Sequence, residues 1–244
     1  MCTATWIRTS DGYEVFFNRD ELATRGPASP PEVREREGVS FLAPTDGDAS
    51  GTWLGVNDRG VSVGLANGTW SAGGEGGGPF RSRGLLVLDL LTAPGVDEAG
   101  QRLAEVDLFL YRPFELFALA PGETPRTWRW DGRALVPRDV AGEGALLVSS
   151  SRDAARARGE REALLARLVR ERGRLDEELL AAFHASHEPE RGAWSPCMHR
   201  EDARTVSESR IRVGEREVAF EYQPGSPCER AGFVGKRIPR RASA

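Results

Sequence analysis

The chain is poor in lysine: Lys236 is its only one among 33 basic residues, set against 37 acidic residues and a formal net charge of -4. Such a balance gives no global cationic field, so nucleic acid and acidic lipid are not expected partners. No apolar run approaches the 18 or so residues of a membrane-spanning helix. The first residues, MCTATWIRTSDGYEVFF, also lack the basic segment and apolar core of a secretory signal, and a cytoplasmic location is expected. Cysteine is scarce, with Cys2, Cys197 and Cys228 odd in number and widely spaced, so no disulfide framework is legible. The glycine-rich 73–78 stretch has no Gly-Lys-Ser/Thr after it and is no phosphate loop. Neither a Gly-x-Ser-x-Gly elbow nor an internal repeat occurs.

What remains is a 244-residue chain with 39% hydrophobic and 29% charged residues, enough for one sizeable core; a single domain over 1–244 is expected. Residues 2–8 and 13–19 are rich in β-branched and aromatic side chains and flank Ser10-Asp11-Gly12, a hairpin pattern. Three prolines make 26–31 an irregular connection. Short strands are expected at 39–43, 51–56 and 61–66, helices at 83–91 and 99–105, and strands at 114–120, 126–130, 134–137 and 145–149. The 153–172 stretch reads as a helix stopped by Gly173, with a second amphipathic helix around Leu175 to Phe183. Strands at 205–213 and 218–222 close the chain. Without strict βαβ alternation, two stacked antiparallel sheets with helices outside fit this α+β order.

Cys2 carries the most chemistry. Initiator methionine is removed before small residues, and loss of Met1 would leave a thiol and a free α-amine on one residue. An α-amine titrates near ~7.7 to 8.0 and a thiol near ~8.5, so the amine can serve as base without a histidine. Asn18-Arg19-Asp20-Glu21 ends the neighbouring strand, where its polar groups either orient that amine and bind an oxyanion or form a solvated strand end. Trp53, between Gly51-Thr52 and Leu54-Gly55, reads first as core packing, and Asn67 as either an oxyanion donor or an Asn-Gly turn. Cys197-Met198-His199, with Cys228, His184 and His187, invites a test for zinc. Cys-x-His is not a usual structural spacing, so no metal is expected.

Met1-Cys2, Asn18 to Glu21, Gly51 to Gly55, Asn67 and Ser82-Arg83-Gly84 together resemble the NRDE family, also called the transport-and-Golgi-organisation family, across roughly the first 90 residues. The resemblance implies a four-layer αββα sandwich of the N-terminal-nucleophile (Ntn) hydrolase type. It also implies hydrolysis of linear carbon-nitrogen amide bonds of a small molecule, with no cofactor. Cys2, Asp20, Asn67 and Arg204 are the implied catalytic group; Asn18, Arg19, Trp53 and Ser150 are the implied substrate contacts. Amide-cleaving cysteine relatives show an Arg-Asn-x-Asp pattern, where this chain has Phe17-Asn18-Arg19-Asp20. The displaced arginine is expected to turn to the opposite face of its strand. Ser150 stands where relatives carry an oxyanion asparagine. The alternative is a non-catalytic carrier of the same fold for a hydrophobic ligand, haem or lipid, with His199 as a haem ligand.

Overall fold

The computed structural model describes residues 2–71, 78–142 and 144–241. Strands β1 (Cys2–Arg8) and β2 (Tyr13–Leu22) form the expected hairpin, followed by β3 (Ser29–Arg36), β4 (Val39–Thr45), β5 (Leu54–Asn57) and β6 (Ser62–Asn67). Helices α1 (Arg83–Leu90) and α2 (Val96–Glu105) precede β7 (Phe114–Leu119), β8 (Arg126–Trp130), β9 (Leu135–Asp139) and β10 (Gly144–Ser149). Then come α3 (Ala154–Arg172), α4 (Glu177–His184), β11 (Ala203–Val213), β12 (Glu217–Pro224) and β13 (Val234–Pro239).

Two antiparallel sheets result among the described residues, ordered β10-β1-β2-β11-β12-β13 and β3-β4-β5-β6-β7-β8-β9. Strand alternation explains the layering. Cys2, Ala4 and Trp6 of β1, with Val15 and Phe17 of β2, point between the sheets and meet Leu42, Leu54, Val56 and Phe117. Trp6 stacks on Phe117 at 5.2 Å. Each such burial contributes about 1.5 to 3 kcal/mol before the entropy of ordering is set against it.

The opposite faces are buried as well. Ile7 and Phe16 pack under Leu179 and Leu180 of α4, while Leu86, Val87, Leu90, Val96, Ala99 and Leu103 of α1 and α2 cover the second sheet. Helix, sheet, sheet and helix form the αββα sandwich. Because β1 is covered on both faces it is buried from Cys2 to Ile7, a pattern closer to a continuous run than to simple alternation.

Two strands escape the sequence reading. The stretch 26–31 was expected to be irregular, yet β3 begins at Ser29 and carries Pro30 and Pro31 through a register shift between Ser29 and Glu32. It lies at a sheet edge, where proline's missing donor costs no ladder bond. β13, mostly exposed, is the edge of the other sheet. The Gly173 stop holds: its φ is +79° and its N–H bonds Val169 O. Of the glycine-rich stretch, 73–77 lies outside the described residues.

Candidate active site

Cys2 heads β1 between β10 and β2, paired with Ser149 on one side and Arg19 on the other. It is buried, 7% exposed, and borders an open cleft of about 660 Å3 that Arg19, Asp20, Trp53, Asn67 and Arg83 also line. Burial pushes its thiol above the ordinary cysteine range, and a backbone hydrogen bond with Asp20 works the other way. The thiol therefore needs a base to become a nucleophile near neutral pH. Its main-chain nitrogen donates to Ser149 Oγ at 2.9 Å.

Asp20 is buried, accepting from Thr205 Oγ1 at 2.6 Å and pairing with Arg161 at 3.8 Å. Burial raises its carboxyl above the usual range, opposed by the Arg161 charge. Arg161, 1% exposed in the middle of α3, also donates to Thr3 Oγ1 and to Trp194 O. Thr3 follows Cys2, so one guanidinium ties β1 to the Asp20 carboxylate.

Across the cleft mouth, the Arg19 guanidinium lies over the Trp53 ring at 4.4 Å and bonds Asp46. Arg25 holds the same Asp46 carboxylate at 2.8 Å. Arg81, Arg83 and Arg112 complete the rim, and none has an ion-pair partner among the described residues. Burial, then the nearby Arg112 charge, lowers Arg83 to about 10, still protonated at neutral pH. Among the described residues that line it, the cleft is thus net cationic.

A family model described as Transport and Golgi organisation 2 matches residues 1–129. The chain belongs to that family. No curated protein matches it. Among solved structures, an acid amidase ortholog from Caenorhabditis elegans that hydrolyses N-acylethanolamines is 15% identical over 86% of this chain and 92% of its own, with a TM-score of 0.59. A variant of conjugated bile acid hydrolase from Clostridium perfringens is 11% identical over 99% and 97%, at 0.62. Penicillin V acylase from Agrobacterium tumefaciens is 11% identical over 92% and 83%, at 0.52. At these identities the likeness establishes the fold: this Transport and Golgi organisation 2 family member is an αββα sandwich of the Ntn hydrolase type.

Within that fold the expected site residues separate. Cys2, Arg19, Asp20, Trp53 and Asn67 line one cleft. Arg19 corrects its own expectation: it lies two positions from Phe17, a full strand period, and so shares the face of Cys2 opposite it in register. Asn18 does not reach the cleft. Paired with Thr3, it faces the helices, where its amide donates to His184 O at 2.8 Å and Pro196 O at 2.9 Å.

Ser150 is not among the residues that line the cleft: β10 ends at Ser149, which opposes Cys2, and Ser150 Oγ accepts from Arg152 N at 3.3 Å. Arg204 is exposed and borders a different groove with Leu22 and Pro224. The buried arginine beside Asp20 is Arg161, which the sequence reading missed. Its signal was weak but present: it falls on the α3 stripe with Ala157 and Leu164, where the helical period demands burial.

The histidines also divide. His184 ends α4, stacks on Phe16 and meets Thr5 Oγ1 at 2.9 Å. Burial drives it down to about 3, so it is neutral at ordinary pH. His187 lies beyond the helix, its ring 5.1 Å from that of His199. His199 lines no part of the Cys2 cleft. No helix among the described residues is long and apolar enough to cross a membrane.

Proposed function

We propose that this family member is an Ntn-type amidohydrolase in which Cys2, after removal of Met1, cleaves a linear carbon-nitrogen amide bond. The observation that carries the reading is the position of Cys2: the thiol heads an inner strand at an open cleft, and its main-chain nitrogen is fixed by Ser149. Freed of Met1, that nitrogen is an amine covalently tied to the thiol it must deprotonate.

The thiolate attacks the amide carbonyl carbon, and the α-amine holds the thiol proton. The Asn67 side-chain amide, at the end of β6 in the same cleft, donates to the developing oxyanion. As the carbon-nitrogen bond breaks, the α-ammonium gives its proton to the leaving nitrogen. Water, deprotonated by the same amine, then hydrolyses the thioester and restores Cys2. The Asp20 carboxylate stabilises the ammonium form, and Arg161 and Thr205 hold Asp20 in place.

Three rim arginines without carboxylate partners among the described residues favour a substrate carrying an anionic group. They count only against an uncharged apolar ligand, which would strip water from these charges without replacing it; the haem alternative instead lacks its expected ligand here, because His199 lines no part of this cleft. Intact-mass measurement is expected to show loss of Met1, and a cysteine-directed acylating probe to label Cys2 at one per chain. A panel of N-acyl amino acids and uncharged amides is expected to give turnover of the former, abolished in Cys2→Ala. Retention of Met1 in a protein that still turns over amides, or turnover by Cys2→Ala, sinks the mechanism.

A further inference from the structure

Behind the strand end that carries Asp20, the chain from 186 to 199 runs without helix or strand. One ligand-type atom from each of His187, Cys197, His199 and Cys228 converges there, all within 4.8 Å of one another. Cys228 arrives from the short 3-10 turn Pro227–Glu229, beyond β12. The sequence offers these four residues together with His184, and the Cys-x-His spacing leads to the expectation of no metal; the fold leaves His184 out and brings the other four together.

Two of the distances are those of edges of a coordination polyhedron. His199 Nε2 lies 3.4 Å from Cys197 Sγ and 3.5 Å from Cys228 Sγ. In a tetrahedral zinc site with Zn–S about 2.3 Å and Zn–N about 2.0 to 2.1 Å, the nitrogen-to-sulfur edge is about 3.5 to 3.6 Å. Hydrogen bonding accounts for the cluster poorly. One imidazole nitrogen cannot satisfy two thiols, a thiol is a weak donor, and His187 Nε2 is buried with no hydrogen-bond partner among the described residues. A cation at the centre gives all four atoms a partner at once.

We infer that His187, Cys197, His199 and Cys228 form a structural zinc site. Two thiolates and two neutral imidazoles suit a borderline-soft divalent ion and exclude calcium or magnesium, which take oxygen ligands. Binding releases two thiol protons to solvent, leaves a neutral complex, and fills all four positions, as in a structural rather than catalytic site.

The site would act as a clasp. Cys197 N bonds Ser186 O at 3.0 Å, and Met198 N bonds Thr205 Oγ1 at 2.8 Å. Thr205 Oγ1 is the donor to Asp20, and Ser226 Oγ bonds Thr205 O at 2.8 Å. Zinc would therefore lock the 186–199 segment and the Pro227–Glu229 turn around the residue that holds Asp20. It makes no contact with the substrate in this arrangement.

Untagged protein, purified under reducing conditions without chelator, is expected to contain one zinc per chain by plasma mass spectrometry. Exchange into cobalt should give the intense red d–d band of a tetrahedral ion with sulfur-to-metal charge transfer in the near ultraviolet, a measurement that needs no variant. His187→Ala and Cys228→Ser should each lose the metal, whereas Cys2→Ala should keep it, which separates this site from the proposed nucleophile. Absence of both zinc and a cobalt spectrum would falsify the assignment. So would iron at one per chain, zinc retained in both variants, or a Cys197–Cys228 disulfide in the isolated chain.

Discussion

Cys2 N and Ser149 Oγ lie 2.9 Å apart across the β1–β10 pair, in which the two residues are register partners. Since main-chain register fixes this contact, it survives removal of Met1 only as long as β10 stays paired. Ser149→Ala keeps the strand but removes the acceptor. A lost bond of about 1.4 kcal/mol corresponds to about tenfold in rate, so kcat is expected to fall by that order with KM little changed and the pH profile displaced. An effect confined to KM would assign Ser149 to substrate binding instead.

Gly84 and Gly51 explain why two short glycine motifs occur in one chain. Thr52 N donates to Gly84 O at 3.1 Å, and a Cβ on Gly84 would stand 2.8 Å from Thr52 N and 3.1 Å from Gly51 Cα. Helix α1 thus seats its first turn against the loop that presents Trp53 to the cleft. Helix propensity alone predicts that Gly84→Ala stabilises by about 1 kcal/mol. The close backbone approach predicts the reverse, a loss of about 1 to 3 kcal/mol with a raised KM. A urea midpoint above the parent's would discard the packing argument.

Arg161 counters the burial of Asp20. Arg161→Met removes that charge and is expected to cost about 3 to 5 kcal/mol near neutral pH. Asp20 would then hold its proton to still higher pH, so the folded state gains on the unfolded one as pH falls. The gap between variant and parent should therefore narrow between pH 7 and 5, and Asp20→Asn in the Arg161→Met background should recover part of the loss. A gap independent of both would show that Arg161 acts by packing alone.

His184 makes the fold acid-sensitive. Its folded value of about 3 lies below the ordinary 6.5, so the unfolded chain binds the extra proton first. The stabilisation is complete above pH 6.5 and is lost progressively down to about pH 3, at up to about 1.4 kcal/mol per pH unit. His184→Gln should be less stable than the parent at pH 7, yet lose less on acidification to pH 4.5. Parallel pH curves for the two chains would refute this assignment.

Cys2 at the head of a strand, the β1–β2 hairpin, the α3 stop at Gly173 and the α+β order were all legible, because each depends on neighbours in sequence. The placement of Asp20, Trp53 and Asn67 on one cleft followed from the family-like motifs. Asn18, Ser150 and Arg204 were not so placed. At a strand end one residue decides the face, and only the pairing with β10 selects Ser149 over Ser150.

By itself, then, the sequence determined the local elements and the residue types available for chemistry: a thiol next to Met1, carboxylates and arginines in the first hundred residues, and three scattered cysteines. Tertiary structure decided which of them meet. Arg161 reads as one more solvated charge on an arginine-rich helix until α3 packs on the sheet and brings it to Asp20. Cys228 gains neighbours only when β11 and β12 return the chain to His187 and His199. Local propensity acts over a few residues, whereas sheet order and helix docking join positions that are far apart in the chain, and the chemistry here lies in those joins.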